Sequence, residues 1–382
     1  MKILFVIHDN KKGGASISFL EMISQVRKQH EVFVITPHKT GFLPEQLDQM
    51  GIRHRAAHYY AWLVWRPENR IFRAAFRFIY YVANKVNVLE AGRIAYLLSK
   101  EKFDLIHTNS SVVNFGGWLS EKMHIPHVWH VREMREGINL MPVMNEKKMG
   151  VFIKEHSDCI VAISKAVGEK VREWTEAENI RVIYNGVSEE YDVKKDSYPQ
   201  SGSIINFLIS GNICKEKGQE DVVRAAKELC KQSIYNFHVY IAGNGNKEVL
   251  EQMIEKMDLQ EYVTILGGVK DMRELRSRMN VEIMASKLEG FGRVTIEAMR
   301  ASNPVIGTNA GGTAELITEG RNGLLYPYGE FTLLSEKMKE MIQSPELIAR
   351  MGNQAYQDTH GKFTPEENAA SILAIYRELK RE

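Results

Sequence analysis

The feature that most constrains this chain is a rhythm. Short apolar runs bounded by polar or glycine-bearing turns alternate with amphipathic stretches along nearly the whole sequence. In the first half, Ile3–Ile7, Val32–Ile35, Leu105–His107, His127–His130, Cys159–Ile163 and Arg181–Tyr184 read as strands, with helices such as Ser16–Gln29 and Ser164–Trp174 between them. A second series follows: strands at Ile205–Ser210, Phe237–Ala242, Val263–Leu266, Val281–Met284, Pro304–Gly307 and Gly323–Tyr326, separated by helices at Gln219–Lys231, Lys247–Met257, Met272–Met279, Val294–Ala301 and Thr313–Thr318. Strands that are apolar throughout are buried on both faces. Helical crossovers between them impose a parallel sheet. Two such series predict two doubly wound α/β domains rather than one barrel, and 382 residues suffice for two at about 150 residues each.

The expected division is residues 1–188, a polar linker at 189–202, a second domain at 203–362, and a last segment, 363–382, whose helix at Pro365–Lys380 can dock on either domain, a return to the first included. With 44% apolar and 26% charged residues the chain is neither disordered nor fibrous. Cys159, Cys214 and Cys230 are an odd number without metal-ligand spacing, which fits reduced thiols in a cytoplasm. No run reaches the roughly 18 apolar residues of a membrane span. The first apolar run stops at His8-Asp9-Asn10, so it reads as a strand and not as a signal peptide.

Ligands of doubly wound domains bind at the carboxyl ends of the strands, and the glycine-rich turns of this chain fall there. Gly13-Gly14-Ala15-Ser16 follows the first strand and opens the first helix, where glycine lets the backbone approach a ligand and a helix N-terminus attracts an anion. An ordinary tight turn would use the same two glycines, and Gly243-Asn244-Gly245 is weaker still. The most informative stretch is Glu289-Gly290-Phe291-Gly292-Arg293-Val294-Thr295-Ile296-Glu297, with two carboxylates eight residues apart around a Gly-x-Gly turn. Glu289 suits sugar hydroxyls, Glu297 the ribose of a nucleotide, and Gly290 and Gly292 expose backbone N–H groups. Lys217, in Glu216-Lys217-Gly218, offers a point charge to phosphates, and Asn309-Ala310-Gly311-Gly312-Thr313 makes another glycine-rich helix start. His124, His127 and His130 have a metal-like spacing, but residues three apart on a strand point to opposite faces. No Asp-x-Asp occurs, so no metal and no cofactor is expected.

This ordered set resembles the GT-B-fold glycosyltransferases of family 4, glycosyl transferases group 1, over nearly the whole chain. The E-x7-E element Glu289–Glu297 is the family's signature. Ile160-Val161-Ala162-Ile163-Ser164, Ile183-Tyr184-Asn185-Gly186-Val187 and Gly311-Gly312-x-x-Glu315 supply matching context. The resemblance implies two facing domains with a deep cleft, the nucleotide-sugar on the C-terminal domain, the acceptor on the N-terminal one, and transfer with retention of configuration. By position, Glu289 binds donor-sugar hydroxyls and Glu297 the ribose. Gly14 and the amides at Phe291, Gly292, Arg293, Val294 and Thr295 meet the diphosphate. Val269 contacts the base, and His130, near the reacting carbon, is the expected catalytic partner of Glu289, stabilising the developing oxocarbenium-like sugar by hydrogen bonding. The family usually carries an arginine shortly before the Glu-Lys-Gly lysine; here that position is Asn212, and Arg293 is expected to supply the missing charge.

The formal net charge of +2 conceals a gradient. Residues 51–100 hold nine Lys/Arg and two Glu, a net of +7, which leaves −5 for the rest. Arg66, Arg70, Arg73 and Arg77 are spaced as one helical stripe, with Phe72, Phe76, Phe78 and Ile79 off it and Trp62 and Trp65 just before it. A basic aromatic helix suits an anionic membrane surface; a core helix with a solvated arginine face would show the same spacing. No nucleic-acid module is present. The sequence therefore predicts a retaining, metal-independent glycosyltransferase. It would move a sugar from a nucleotide-sugar, a UDP-sugar, to a glycan or lipid-linked glycan acceptor of bacterial envelope polysaccharide, in the cytoplasm or at the inner face of the plasma membrane. A nucleotide-sugar epimerase of the same fold and a non-catalytic nucleotide-sugar-binding protein stay open as alternatives.

Overall fold

Both apolar series form parallel sheets. The computed structural model describes residues 1–137 and 139–381 and falls into two units, Met1–Gly186 with Phe363–Glu382, and Val187–Lys362. The first unit contains β1 (Lys2–Val6), β2 (Glu31–Thr36), β3 (Arg53–Ala56), β4 (Leu63–Trp65), β5 (Leu105–Thr108), β6 (His127–Val131), β7 (Leu140–Pro142), β8 (Cys159–Ala162) and β9 (Ile180–Val182). Its main sheet is ordered β3-β2-β1-β5-β6-β8-β9, and β4 pairs antiparallel with β7 outside it. The second unit contains β10 (Ile205–Ser210), β11 (Phe237–Ala242), β12 (Val263–Gly267), β13 (Val281–Met284), β14 (Val305–Thr308) and β15 (Gly323–Tyr326), ordered β12-β11-β10-β13-β14-β15.

The central strands show why the runs are apolar throughout. On β1, Ile3 and Phe5 pack with Phe19 and Ile23 of helix Gly14–Val26 and with Ile372 and Tyr376 of the last helix, Pro365–Arg381. Leu4 and Val6 face the other way, onto Ala91, Ile94 and Phe115. On β10, Phe207 and Ile209 enter one core, while Leu208 enters another with Ala242 and Met279. A helix layer on each face of each sheet buries most residues of the central strands, while Asn206 and Ser210 at the ends of β10 stay partly exposed.

Three strands do not appear among the sequence expectations. β3 is an edge strand on which Arg53 and Arg55 are exposed, so its pattern is charged rather than apolar. β4 and β7 have three residues each, too few to show a period. Residues 189–202, expected as a linker, are fastened to the second unit. Val193 N–H donates to Arg300 O at 2.9 Å, and the Lys195 ammonium donates to Met279 O and Asn303 Oδ1. Burial lowers the Lys195 pKa to about 8. The segment reads as a linker because its anchors are polar. At the other crossing, a Cβ on Gly186 would lie 2.6 Å from Pro365 Cα, and Asn368 Nδ2 donates to Tyr184 O at 2.7 Å, which ties the last helix into the first unit.

The first unit encloses three neutral histidines. His127 donates from Nδ1 to His156 O, so its Nε2 accepts from the Thr108 hydroxyl at 2.7 Å. Burial lowers the His127 pKa to about 4 and pushes His107 and His130 well below the usual imidazole range. The unfolded chain therefore takes up protons that the folded unit refuses, between an unfolded pKa near 6.5 and the depressed folded value. This contribution to stability is complete above the unfolded pKa and is lost as pH falls toward about 4. His127 alone should cost on the order of 2 kcal/mol between pH 7 and pH 5. All five tryptophans (Trp62, Trp65, Trp118, Trp129 and Trp174) lie in this unit. Urea unfolding followed by tryptophan fluorescence should show a lower midpoint at pH 5, and His127→Gln should flatten that dependence.

Candidate functional site

The strand order of the second unit reverses between β10 and β13, and the loops leaving these strands converge. After β10 the chain runs through Gly211, Asn212 and the short turn Lys215–Lys217. Gly218 follows at φ 71°, where a Cβ would lie 2.2 Å from Ala285 O. Lys287 N–H donates to Glu216 O at 2.8 Å, joining this loop to the one after β13. The Lys217 ammonium consequently pairs with Glu289, two residues distant by 72 in sequence. Both side chains stay partly open to solvent. Asn212 is exposed, and its carbonyl accepts from Gln219 Nε2 at 3.0 Å.

The loop after β14 closes on the same place. Gly312 N–H donates to Glu289 O at 2.8 Å, and a Cβ on Gly312 would meet Phe291 Cα at 2.6 Å and Gly290 O at 2.7 Å. Only glycine permits this backbone-to-backbone approach. Phe291 is buried beneath it, and Gly292, at φ 87°, turns the chain into helix Arg293–Arg300. Val294 packs on the small core formed by Met284, Ala298 and Ile317. The Thr295 N–H is engaged by Gly292 O at 2.9 Å, so it does not offer itself to a ligand as expected from the sequence. Its side chain is the open group instead. The hydroxyls of Thr295 and Thr313 are buried without a hydrogen-bond partner, and both flank Gly292. Two unsatisfied hydroxyls beside a helix N-terminus can take an anionic oxygen.

Glu297 is held by two guanidinium groups. Arg293 Nε donates to Oε1 at 2.8 Å, and Arg276 Nη1 lies 2.9 Å from Oε2. Arg276 is wholly buried, donates from Nε to Glu282 Oε2 at 3.0 Å, and lies over the Tyr191 ring. Ser210 donates to Glu282 Oε1 at 2.7 Å. The two carboxylates around it raise the Arg276 pKa against the pull of burial. Neither Arg276 nor Glu282 was identifiable as part of a site from the sequence. The one available signal is a glutamate in the middle of the apolar run Val281-Glu282-Ile283-Met284. Val269, just past β12, is half-buried against Leu208 and Ala242, and its loop meets the one after β11, where a Cβ on Gly268 would lie 2.5 Å from Asn244 Oδ1.

In the first unit, Gly14 is the first residue of its helix, and a Cβ there would have nothing within 4 Å. Nothing within the unit therefore demands glycine at this position. His130 is wholly buried. Arg132 Nη2 donates toward its Nδ1 at 3.4 Å, and His107 Nε2 lies 3.2 Å from the same nitrogen. Its Nε2 has no partner. His107 meets the Tyr376 hydroxyl through Nδ1. His127 lies in a different environment, against Thr108 and His156, and His124 is exposed, so the three histidines do not converge. Among the described residues no group of His, Cys, Asp or Glu is disposed to hold a metal ion. The polar groups at the carboxyl ends of β5 and β6 escaped the sequence reading. Arg132 reaches Asn109 at 2.8 Å and Asn185, and Glu133 accepts from the Ser111 amide at 2.9 Å and hydroxyl at 2.8 Å. A charged pair directly after an apolar strand is the signal that could have found them.

The expected four-arginine stripe is shorter than its spacing suggests. Asn69 caps helix Arg70–Leu97, so Arg66 lies before it, with its N–H on Asn139 O at 3.0 Å. Arg73 donates to Pro67 O and Glu68 O, and Arg77 to Met144 O.

The match to known proteins agrees with this geometry. The family model for Glycosyltransferase Family 4 matches residues 12–191, and that for Glycosyl transferases group 1 matches residues 194–358. The chain is 29% identical over 314 residues to an uncharacterised glycosyltransferase of Methanocaldococcus jannaschii, covering 80% of this chain and 82% of that protein. It is 23% identical over 304 residues to the N-acetyl-alpha-D-glucosaminyl L-malate synthase of Bacillus anthracis, covering 76% and 79%. The solved structure of Anabaena HepE in complex with UDP superposes with a TM-score of 0.80 at 20% identity, over 99% of this chain and 100% of that one.

Because Arg276 bridges two carboxylates inside the second unit, Arg276→Met should leave Glu282 buried without its cation. It should destabilise that unit by about 3–5 kcal/mol. Arg276→Met with Glu282→Leu should recover much of the loss, and chemical unfolding followed by circular dichroism measures both.

Proposed function

From the premise that this chain belongs to glycosyltransferase family 4 and has the GT-B fold, we propose that it transfers a sugar with retention of configuration. The donor is a nucleotide-sugar, a UDP-sugar, and the acceptor is a glycan or lipid-linked glycan of bacterial envelope polysaccharide. The observation that carries this reading is the convergence of Lys217, Glu289 and the Gly290–Thr295 turn at the point where the second sheet reverses its order. The UDP bound to HepE supports the choice of nucleotide. No metal ion or cofactor enters the reaction as we read it.

In this reading the second unit holds the donor and the first unit the acceptor. Glu289 accepts hydrogen bonds from hydroxyls of the donor sugar and orients it. Lys217, the helix N-terminus at Gly292 and the Thr295 and Thr313 hydroxyls receive the diphosphate. Lys217 exchanges its carboxylate partner for phosphate oxygens as the donor enters. Arg293 adds the charge that Asn212 lacks, while it and Arg276 fix the carboxylate of Glu297 toward the ribose. The bond from the sugar carbon to the phosphate oxygen breaks as the acceptor oxygen arrives on the same face, and the leaving phosphate takes the acceptor proton. Preorganised positive charge at the departing diphosphate is where such a site lowers the barrier most. We assign His130 the support of Arg132 rather than contact with the sugar, since its ring is wholly buried. The +7 stretch at 51–100 supports a position at the inner face of a membrane, where a lipid-linked acceptor is met. Among the described residues no helix is long and apolar enough to cross one.

Incubation with a panel of UDP-, GDP- and dTDP-sugars should release free nucleoside diphosphate from a UDP-sugar, slowly without acceptor and faster with one. Glu289→Ala should lower turnover by about two orders of magnitude, the scale of losing one polar contact to the reacting group. Arg293→Ala should raise the donor KM more than it lowers kcat. Formation of an epimer instead of free UDP would make the protein an epimerase. Nucleotide binding without turnover across acceptors would make it a binding protein.

A further inference from the structure

Helix Arg70–Leu97 is amphipathic in the reverse of the usual sense. The side chains it turns into the first unit are largely polar. Asn84 Nδ2 donates to Ala61 O at 2.9 Å, Asn87 Nδ2 to Tyr60 O at 2.9 Å and to Asn114 Oδ1 at 2.7 Å, and Glu90 accepts from His58 N–H at 2.9 Å. Ala91, Ile94 and the partly buried Ala95 add the apolar contact on that side. Most of the side chains turned outward are apolar: Ile71, Phe72, Phe78, Ile79, Val82 and Leu89 are each between 51% and 79% exposed, and Arg93, paired with Glu90, shares their arc. Of the twenty large apolar side chains exposed among the described residues, eleven lie on this helix. At about 100° per residue, the six named residues share an arc of about 120°, roughly opposite Asn84, Asn87 and Ala91. A helix that meets water presents the opposite arrangement. The inward face is already satisfied by hydrogen bonds, so the outward face is built for an apolar medium.

We propose that this outward face is the surface through which the protein docks on an anionic lipid bilayer, with the apolar arc lying in the interface between headgroups and acyl chains. The proposal rests on the membrane-surface reading above and changes which residues make the contact. Arg73 and Arg77 donate to backbone carbonyls and, with Arg70, lie on the side of the helix away from the apolar arc. The arginine stripe is therefore not the inserted face. Charge complementarity selects lipid over a second copy of the chain. The helix carries Arg70, Arg73, Arg77, Lys85 and Arg93 against Glu90 alone, a net of +4, so two such helices repel each other. The arginines remain within one helix diameter of the apolar arc, about one Debye length at moderate salt, and so within the field of anionic headgroups. Interfacial helices combine such an apolar face with a cationic remainder.

Flotation of the full chain with phosphatidylcholine vesicles, with and without phosphatidylglycerol, tests this. The wild-type protein should float with the anionic vesicles and only weakly with the zwitterionic ones. Phe78→Ser/Val82→Ser, two exposed positions, should keep the wild-type circular dichroism and lose at least about tenfold in partitioning. It should also keep the UDP release measured without vesicles, because neither residue belongs to the donor site. Arg70→Gln/Arg77→Gln should retain more binding than the serine variant. Wild-type protein that fails to float at low salt would overturn the membrane reading and this assignment together. Wild-type binding that survives Phe78→Ser/Val82→Ser, or that is lost only in Arg70→Gln/Arg77→Gln, would overturn the assignment of the face alone. A concentration-dependent dimer abolished by the serine variant, without vesicle binding, would assign the face to a second copy. Loss of UDP release with vesicle binding intact would tell against the transferase reading and leave the docking surface standing.

Discussion

The candidate site depends on β10 and β13 lying side by side. Residues 205–210 and 281–284 are neighbours only because the sheet grows outward in both directions from β10, first through β11 and β12 and then through β13, β14 and β15. At that reversal the loops leaving adjacent strands diverge less than their helices do, and three of them meet backbone to backbone. Gly218 against Ala285, Gly311 against Glu289 and Gly312 against Phe291 all lie closer than any Cβ allows. The glycines serve assembly before they serve any ligand. Their close approach brings Lys217 to Glu289 and leaves the Thr295 and Thr313 hydroxyls facing Gly292.

The carboxylates of the signature differ in setting. Glu289 has one cationic partner, Lys217, and both side chains are partly open to solvent. Glu297 is nearly buried between Arg276 and Arg293, and behind Arg276 lie Glu282 and Ser210. A carboxylate clamped in this way holds its orientation without a ligand, which suits a group that reads the position of a hydroxyl. A carboxylate with one exchangeable partner suits a site whose charge balance changes when a diphosphate enters. The two glutamates are symmetric in the sequence pattern and unlike in their electrostatics.

Much of the fold was legible because it is a matter of period and punctuation. Continuous apolar runs give the buried strands of both sheets, and the errors fall where that signal is absent. β3 carries arginines on an exposed edge, β4 and β7 are too short, and the anchored stretch at 189–202 is polar. The site was legible to the extent that it is local, as in Glu289–Glu297 or Glu216-Lys217-Gly218. Arg276, Glu282, Arg132 and Asn185 were not, because each functions through a partner brought up by another strand. The helical stripe of Arg66, Arg70, Arg73 and Arg77 shows the opposite failure. The spacing was correct, but a cap at Asn69 removes Arg66, and the burial that decides which face is free does not follow from periodicity.

By itself, then, the sequence determined two parallel-sheet α/β units, the positions of the glycine-rich turns that follow their strands and the identity of the residues in the signature. These follow from hydrophobic period and from glycine's freedom, which act over a few residues. The tertiary structure alone decided that Glu297 is clamped between two arginines while Glu289 has a single, partly exposed partner, that His130 is wholly buried beside Arg132, and that helix Arg70–Leu97 turns its asparagines inward and its phenylalanines outward. Those outcomes depend on which groups meet across the sheet and which lose contact with water, and neither is a property of any segment taken alone.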